Sequence, residues 1–327
     1  MNERERFRRL FRDEPVDRPP LFDDGVREEV AELWRLQGMP KGRTHLEIFG
    51  LTPHENVGPD LTFRSPSAGR VMLLSEREYR RAFDATPGRF PADWTRTVKR
   101  LEKRDHVACV WASRGFFQAL GVANWRTLEQ VLECLIEEPQ KIRARMEIYG
   151  DFCARMLETA LARVDPEFVY LSEPISDNNG PLISPSMFEE LVIPAYERIV
   201  AAARAHGCRE VLVNTYGNTA LLFPAMIRAG VTSLWISEAA EVPELDYHNL
   251  RRQYGAGLGL VGGIPLSLLR SGAPGTIRER VQEIVRPLLR GGRYVPLASG
   301  RVREEIPWAV YRQYREALAR EVSGVGF

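Results

Sequence analysis

Carboxylate side chains follow two short apolar segments of the sequence and could carry out acid–base chemistry. Glu173 comes directly after residues 168–172, and Glu238 comes directly after residues 233–237. A carboxyl group acts as a general acid when its surroundings raise its pKa, and two carboxyl groups in different surroundings divide the roles of acid and base. We therefore predict that Glu173 and Glu238 are catalytic. An ion pair between Glu173 and an arginine, made for structure alone, is the alternative interpretation.

Other polar residues follow the same and neighbouring segments. Asp177 is close enough in sequence to raise the pKa of the Glu173 carboxyl, although Asp177-Asn178-Asn179-Gly180 is also typical of a turn. The phenol of Tyr216 can donate a hydrogen bond or stack under a planar ligand, with packing alone as the alternative. We add Asp177 and Tyr216 to the catalytic candidates. As candidates for substrate binding we add Asp24, Arg114, Asn178, Asn214, Asn218 and Arg301.

A parallel sheet is the element that would bring these residues together. From about residue 106 onward, short β-branched or apolar segments alternate with amphipathic ones, as in βα units. The carboxyl ends of the strands of a parallel barrel meet at one face, where the chemistry of such folds is found. We predict strands at 19–22, 106–112, 168–172, 210–215, 233–237, 257–262 and 293–298, and one more within 57–63 or 71–74 unless that stretch forms a hairpin.

Helix signals between these segments complete the fold prediction. Ser184-Pro185 is a helix start, and His206-Gly207 is the matching stop. Similar starts occur at Thr219, Pro243 and Pro274. We predict an α/β fold, a single-domain (β/α)8 TIM-type barrel over residues 1–327 with an N-terminal helical extension. An open doubly wound sheet is the alternative, disfavoured because no G-x-G-x-x-G follows the first strand.

Composition excludes several classes of function. The 327 residues carry 45 Lys and Arg against 44 Asp and Glu, so the net charge of +1 cannot build the field that holds nucleic acid. No stretch approaches the roughly 18 consecutive apolar residues of a membrane helix, and the charged first residues lack an apolar leader. We therefore expect a cytoplasmic protein that does not bind membranes. The four cysteines lack C-x-x-C spacing, which favours buried free thiols.

Three stretches of the chain resemble one family. They are Asn2-Glu-Arg-Glu-Arg-Phe7 followed by Asp17-Arg18-Pro19-Pro20, the stretch 179–188 from Asn179 to Phe188, and Val261-Gly262-Gly263-Ile264-Pro265. In order and content they are similar to the uroporphyrinogen decarboxylase superfamily, which also contains the cobalamin-linked methyltransferases. The resemblance implies a TIM-type barrel with one deep cleft at the carboxyl ends of the strands. It also implies no tightly bound cofactor, and a homodimer whose interface the sequence does not locate.

Two motifs of that superfamily are replaced in this chain. Uroporphyrinogen decarboxylases carry R-Q-A-G-R after the first strand, whereas this chain has Phe22-Asp23-Asp24-Gly25-Val26-Arg27, in which Arg27 alone supplies a cation. The thiol-activating methyltransferases carry H-x-C-G and a later cysteine that bind zinc, whereas here Asn214-Thr215-Tyr216-Gly217 and Leu297-Ala298-Ser299-Gly300 stand in their places. Amide, phenol and hydroxyl groups are poor zinc ligands, so we predict no metal site.

These replacements lead to two enzymatic hypotheses. The first is transfer of a methyl group from a small O- or N-methyl donor to a corrinoid on a partner protein, with Glu173 or Glu238 protonating the leaving group. The alternative is decarboxylation of a tetrapyrrole or a simpler carboxylate, with Arg27, Arg114 and Arg301 binding the anion. A barrel that binds a ligand without turnover is the third interpretation. Each of the three interpretations predicts a small-molecule substrate or ligand.

Overall fold

The structure is a computed structural model that describes residues 1–64, 71–238, 241–272 and 274–323, with Pro274 described by its backbone alone. The chain divides into two compact units. Unit 1 consists of Met1–Glu55, Asp105–Val107 and Ser233–Phe327, and unit 2 consists of Asn56–Arg104 and Ala108–Thr232. That the whole chain forms one domain stays a prediction.

Seven strands form among the described residues, together with a larger number of helices. The strands are β1 (Glu55–Val57), β2 (Ala108–Ser113), β3 (Phe168–Glu173), β4 (Val211–Tyr216), β5 (Ser233–Ser237), β6 (Gly259–Ile264) and β7 (Tyr294–Ala298). The helices are α1 (Glu3–Leu10), α2 (Glu28–Leu36), α3 (His45–Phe49), α4 (Glu76–Ala82), α5 (Trp94–Leu101), α6 (Phe116–Ala119), α7 (Trp125–Glu137), α8 (Pro139–Leu161), α9 (Pro185–Leu191), α10 (Ile193–Ala205), α11 (Phe223–Arg228), α12 (Tyr247–Tyr254), α13 (Leu266–Ser271), α14 (Pro274–Arg290) and α15 (Trp308–Ser323).

Each unit contains three parallel strands that pair in chain order. In unit 2, β3 pairs with β2 on one side and with β4 on the other. In unit 1, β6 pairs with β5 and with β7. The central strands are buried on both faces, because adjacent residues that point to opposite faces are buried in each, Phe168 and Val169 in β3 and Leu260 and Val261 in β6. This is why these segments are continuously apolar instead of alternating. The predicted α/β fold with a parallel sheet is confirmed.

Six of the predicted strands form within two residues of the expected bounds, but two expectations in the N-terminal third are wrong. Residues 19–22 form no strand. Pro19 and Pro20 have no amide hydrogen, the Leu21 amide donates to a Glu3 carboxylate oxygen at 3.1 Å, and Phe22 O accepts from Arg315 at 3.3 Å. Of the two other candidates, Val57 ends β1, whereas Val71–Leu73 is a 3₁₀ helix. The described residues therefore contain one strand fewer than the eight predicted.

The sequence signals predicted where helices start and stop, but they did not predict a break within a helix. Ser184 caps α9 by accepting from the Met187 amide at 3.1 Å, as its position before a proline predicts. The single helix predicted from there to His206 is instead two helices that meet at Val192. Pro194 lacks the amide hydrogen that would donate to the Glu190 carbonyl in a continuous helix, which accounts for the break. The N-terminal helical extension is present as α1, α2 and α3.

Two further expectations from composition can be compared with the structure. Cys109, Cys134, Cys153 and Cys208 are all buried and free, as the sequence predicts. Over the described ranges, no helix combines the length and the hydrophobic content that a membrane crossing requires.

Candidate functional site

The carboxyl ends of β2 and β3 meet at Glu173 in unit 2. Glu173 is the last residue of β3, and its side chain is fully buried. One carboxyl oxygen, Oε1, accepts a hydrogen bond from the Phe116 amide at 2.9 Å, and the other, Oε2, accepts one from the Tyr196 hydroxyl at 3.0 Å. Both oxygens are therefore engaged, one with the segment after β2 and the other with α10.

Burial controls the ionisation of Glu173. Removal from water raises the pKa of this carboxyl to about 7, and the hydrogen bonds from Phe116 and Tyr196 act in the opposite direction. Gly115 gives the Phe116 amide access to the carboxylate. Its φ is +95°, and a Cβ at this position would lie 2.8 Å from Glu173 Oε1 and 2.8 Å from Ser172 O. A residue without a side chain is therefore required at position 115.

Tyr149, on α8, holds the rest of the segment after β2. Its hydroxyl oxygen accepts a hydrogen bond from the Arg114 amide at 2.8 Å and lies 3.4 Å from the Ser113 hydroxyl. The Gly115 amide donates to Ser113 Oγ at 3.1 Å. The backbone from Ser113 to Phe116 is thus fixed by the buried side chains of Tyr149 and Glu173. Reading strand ends could not find Tyr149 or Tyr196, because both lie on helices, Tyr149 near the middle of α8 and Tyr196 in the first turn of α10.

Asp177 lies in a turn. Its Oδ1 accepts hydrogen bonds from the amides of Asn179 at 2.7 Å and Gly180 at 3.1 Å, and these bonds lower the pKa of the exposed carboxyl. The Asp177 carbonyl accepts from the Asn218 amide at 2.7 Å, so this turn contacts the loop after β4. Gly217, with a φ of +62°, makes room for the contact, since a Cβ there would lie 2.4 Å from Asp177 O.

The amide and phenol candidates of unit 2 lie on or beside β4. Asn214 is buried within the strand, where it is aligned with Ser172 of β3. Tyr216 ends the strand half-buried, and Asn218 lies two residues beyond it, also half-buried. Asn178 is exposed in the turn after β3. Of the unit 2 candidates, the structure therefore brings Asp177 and Asn218 into contact, as the prediction of converging strand ends requires.

Arg114 lies at the edge of a pocket in unit 2. The pocket has a volume of about 310 Å³. Arg114 Nε donates a hydrogen bond to Gln118 Oε1 at 2.9 Å, and the guanidinium carbon lies 5.1 Å from the centre of the Trp111 ring. The residues that line the pocket are Leu61, Thr62, Phe63, Val71, Arg114, Gln118, Ala119, Gly121, Val122, Ala123 and Tyr149.

In unit 1, Asp24 is a half-buried carboxyl among other charged groups. Burial raises its pKa to about 7, with Asp23 and Glu238 contributing in the same direction and Arg301 in the opposite one. A parallel bridge between Val26 and Val302 holds this segment beside the residues that follow β7. The structure thus brings together Asp24, Glu238 and Arg301, three of the predicted site residues.

Asp23 is a residue that the sequence prediction left without a role. Its Oδ2 accepts a hydrogen bond from the Tyr311 hydroxyl and lies 3.9 Å from His45 Nε2, and its Oδ1 accepts from the Gly25 amide at 2.9 Å. The buried Arg315 guanidinium interacts electrostatically with the same carboxylate. Tyr311 and Arg315 are four residues apart on α15 and so share one face of that helix. The spacing of Tyr311 and Arg315 was the sequence feature that could have indicated a shared partner.

The remaining predicted residues of unit 1 are exposed. Glu238, directly after β5, has a φ of +47°, and its side chain forms an ion pair with Arg303 while 45% exposed. Its amide donates to Ser299 O at 3.1 Å. Arg27 is the exposed residue that precedes α2, and Arg301 is exposed beyond β7. Among the described residues, no group of three or more His, Cys, Asp or Glu side chains is arranged to hold a metal ion.

Comparisons with known proteins place this arrangement in a family. The family model described as Uroporphyrinogen decarboxylase (URO-D) matches residues 115–301. No curated protein matches the sequence. A solved structure of a provisionally assigned vitamin-B12-independent methionine synthase from Listeria monocytogenes is similar with a TM-score of 0.39 and 12% identity, over 94% of this chain and 98% of that one. Ochratoxinase from A. niger is similar with a TM-score of 0.30 and 10% identity, over 87% of this chain and 75% of that one. Both scores are too low to bear on fold or function.

Proposed function

The chain belongs to the uroporphyrinogen decarboxylase family, and from this premise we propose that it transfers a methyl group from a small O- or N-methyl donor to a corrinoid. The corrinoid is a second substrate carried by a partner protein, and it supplies the electron pair that accepts the methyl group. No residue of this chain is assigned to hold it. The donor is the molecule on which the residues of this chain act.

The observation that carries this proposal is the group of carboxylates around Asp24. Asp23, Asp24 and Glu238 lie near one another, and Arg301 is the cation that acts on the pKa of Asp24. A substrate bearing many carboxylates would meet like charge there, and like charges at short range cost several kcal/mol. A neutral or cationic methyl donor meets no such repulsion. The acidic group thus favours a small methyl donor over a tetrapyrrole.

Asp24 is the proton donor that this chemistry needs. When the bond between the methyl carbon and the donor oxygen or nitrogen breaks, the electron pair stays on that heteroatom, and a proton from Asp24 neutralises it. A carboxyl group with a pKa of about 7 still carries a proton near neutral pH. Glu173 is less suited because both its oxygens are already engaged, and Glu238 because it pairs with Arg303 in solvent. Asp24 therefore takes the role that the sequence assigned to Glu173 or Glu238.

Decarboxylation of a simple carboxylate is the second candidate. Arg114, at the edge of its pocket, is a cation able to bind such a group. The proton balance also holds, since loss of CO₂ leaves an electron pair on carbon that takes up a proton from water. Release of CO₂ in the absence of any corrinoid would distinguish this reaction from methyl transfer.

The test is a methyl-exchange assay with candidate donors and a reduced Co(I) corrinoid protein, followed by the corrinoid absorbance. We expect exchange with at least one donor, and a loss of roughly 100-fold or more in rate for Asp24→Asn, as is usual when a general acid is removed. Asp93→Asn is the matched control, because Asp93 is exposed and makes no capping hydrogen bond. Absence of exchange with every donor, or full activity of Asp24→Asn, would contradict the proposal.

A further inference from the structure

The pocket beside β2 has the features of a binding site for an anion with an apolar body. It lies wholly in unit 2, with Arg114 at one edge and mainly apolar side chains elsewhere. We infer that this pocket binds a small organic carboxylate, whose two oxygens are held by the guanidinium of Arg114 and whose apolar body fills the space between Leu61, Phe63, Val71 and Val122.

The guanidinium of Arg114 is the first part of the argument. Its Nε is bound to Gln118, and its face lies over the Trp111 ring, so its orientation is fixed from two sides. Within the described ranges, neither terminal nitrogen of this half-buried guanidinium has a hydrogen-bond acceptor, and no carboxylate pairs with it. Two parallel N–H groups of a guanidinium match the two oxygens of a carboxylate. An anion bound there would satisfy these donors and neutralise the charge.

The walls of the pocket exclude a strongly hydrated anion. Besides Arg114, the polar residues that line it in the described part of the chain are Thr62, Gln118 and Tyr149. The Gln118 side chain is bound to Arg114, and the Tyr149 hydroxyl is bound to the Arg114 amide. Inorganic phosphate has further oxygens that would find few donors, and burying an unpaired polar atom costs free energy. A carboxylate with an apolar body has no such additional oxygens.

The size of the pocket sets the size of the ligand. Its volume of about 310 Å³ is at the lower end of the range for ligand pockets. At about 30 Å³ for each water molecule in the liquid, this space corresponds to a ligand with on the order of ten non-hydrogen atoms. A benzoate-sized acid meets this limit, whereas a tetrapyrrole is several times larger.

This inference goes beyond the proposed function, because the carboxylate ligand of the unit 2 pocket is not the methyl donor on which Asp24 of unit 1 acts. Binding itself requires no turnover and no corrinoid. A protein that binds the acid but transfers no methyl group would contradict the proposed function and leave the pocket assignment intact. A protein that transfers methyl groups but does not bind the acid would contradict the pocket assignment and leave the proposed function intact.

The experiment is isothermal titration of the full-length protein with benzoate and with benzamide, its neutral analogue of equal size. We expect benzoate to bind at least tenfold more tightly than benzamide, and more tightly than inorganic phosphate. Equal affinity for benzoate and benzamide, or a preference for phosphate, would overturn the inference. This comparison uses the unaltered chain, so it does not depend on the folding of any variant.

Variants then assign the binding to Arg114. We expect Arg114→Gln to lower benzoate affinity at least tenfold, and Arg114→Lys to restore only part of it, because an ammonium group lacks the paired donors. Arg96→Gln, which removes an exposed cation on α5 of the same unit, should leave affinity unchanged. Unchanged affinity in Arg114→Gln, or an equal loss in Arg96→Gln, would show that the acid binds elsewhere.

Discussion

The hydroxyl of Tyr196, on α10, donates a hydrogen bond of 3.0 Å to the carboxyl group of Glu173, at the end of β3. Both side chains are buried, with exposed fractions of 1% and 0%. Through its other oxygen the same carboxyl group binds the Phe116 amide, so one ionisable group connects a helix with two strand ends. Glu173 thus holds the segment that follows β2 against α10.

The stability of the protein should depend on the ionisation of Glu173. Burial raises the pKa of this carboxyl from 4.5 to about 7, so the folded state binds more protons than the unfolded state between these values. The stabilisation is therefore complete below pH 4.5 and is lost as the pH rises to about 7, by on the order of 3 kcal/mol. Denaturant unfolding of Glu173→Gln should show a weaker decline over this range than the unaltered protein. Glu129→Gln, an exposed change on α7, is the control, and equal slopes for Glu173→Gln and the unaltered protein would refute the assignment.

The Tyr196 hydroxyl should contribute measurably to stability. Tyr196→Phe leaves a buried carboxyl oxygen of Glu173 without its donor, which should lower the free energy of unfolding by about 1–3 kcal/mol. It should also raise the pKa of Glu173 further, because a hydrogen bond that favours the charged form is lost. Urea titrations of this variant and of Tyr254→Phe, a partly exposed tyrosine on α12, measure the difference. Equal stability of the two variants would argue against the contact.

The rate of the proposed reaction should fall above neutral pH. Asp24 must be protonated to donate, and its pKa is about 7, so the rate should be highest below this value and fall roughly tenfold per pH unit above it. Asp24→Asn should lose both the rate and its pH dependence in this region. Initial rates from pH 5.5 to pH 9 would check this, and a rate that stays constant through pH 9 would exclude Asp24 as the acid.

Gly217 should not tolerate a side chain. In Gly217→Ala the new Cβ would overlap Asp177 O, and the residue would be held at a φ of +62° that alanine rarely adopts. We expect a loss of about 1–3 kcal/mol in unfolding free energy. Gly257→Ala is the matched control, because its Cβ would meet open space and its φ is not in the left-handed region. Comparable melting temperatures for the two variants would show that the turn adapts.

The parallel strands could be predicted from the sequence because burial on both faces produces continuous apolar segments. Ser233–Ser237 was predicted with its observed bounds, and Tyr294–Ala298 within one residue. The segment 19–22 is also apolar and buried, but it is not a strand. Its backbone forms hydrogen bonds with the side chains of Glu3 and Arg315. Such hydrogen bonds join residues far apart in the chain, so they cannot be predicted from a local sequence pattern.

The sequence predicted which types of residue form the candidate site, but it predicted the roles of these residues only in part. Strand ends identified Glu173 and Glu238 as carboxylates of interest, because parallel strands gather their carboxyl ends, whereas Asp24 was expected after a strand at 19–22 that does not form. Which carboxyl group is proposed as the proton donor depends on its burial and its hydrogen bonds. Tertiary contacts determine both. Tyr196 and Tyr311, which engage Glu173 and Asp23, lie on helices remote in sequence from the acids that they contact.

The parallel bridge between Val26 and Val302 means that unit 1 is built from residues near opposite termini of the polypeptide. During translation, unit 2 has left the ribosome before the second part of unit 1 has been made, so its strands can assemble first. Glu238 contributes to the raised pKa of Asp24, and it belongs to the part of unit 1 that is made last. A nascent chain would therefore acquire the proposed proton donor as one of the last steps of its maturation.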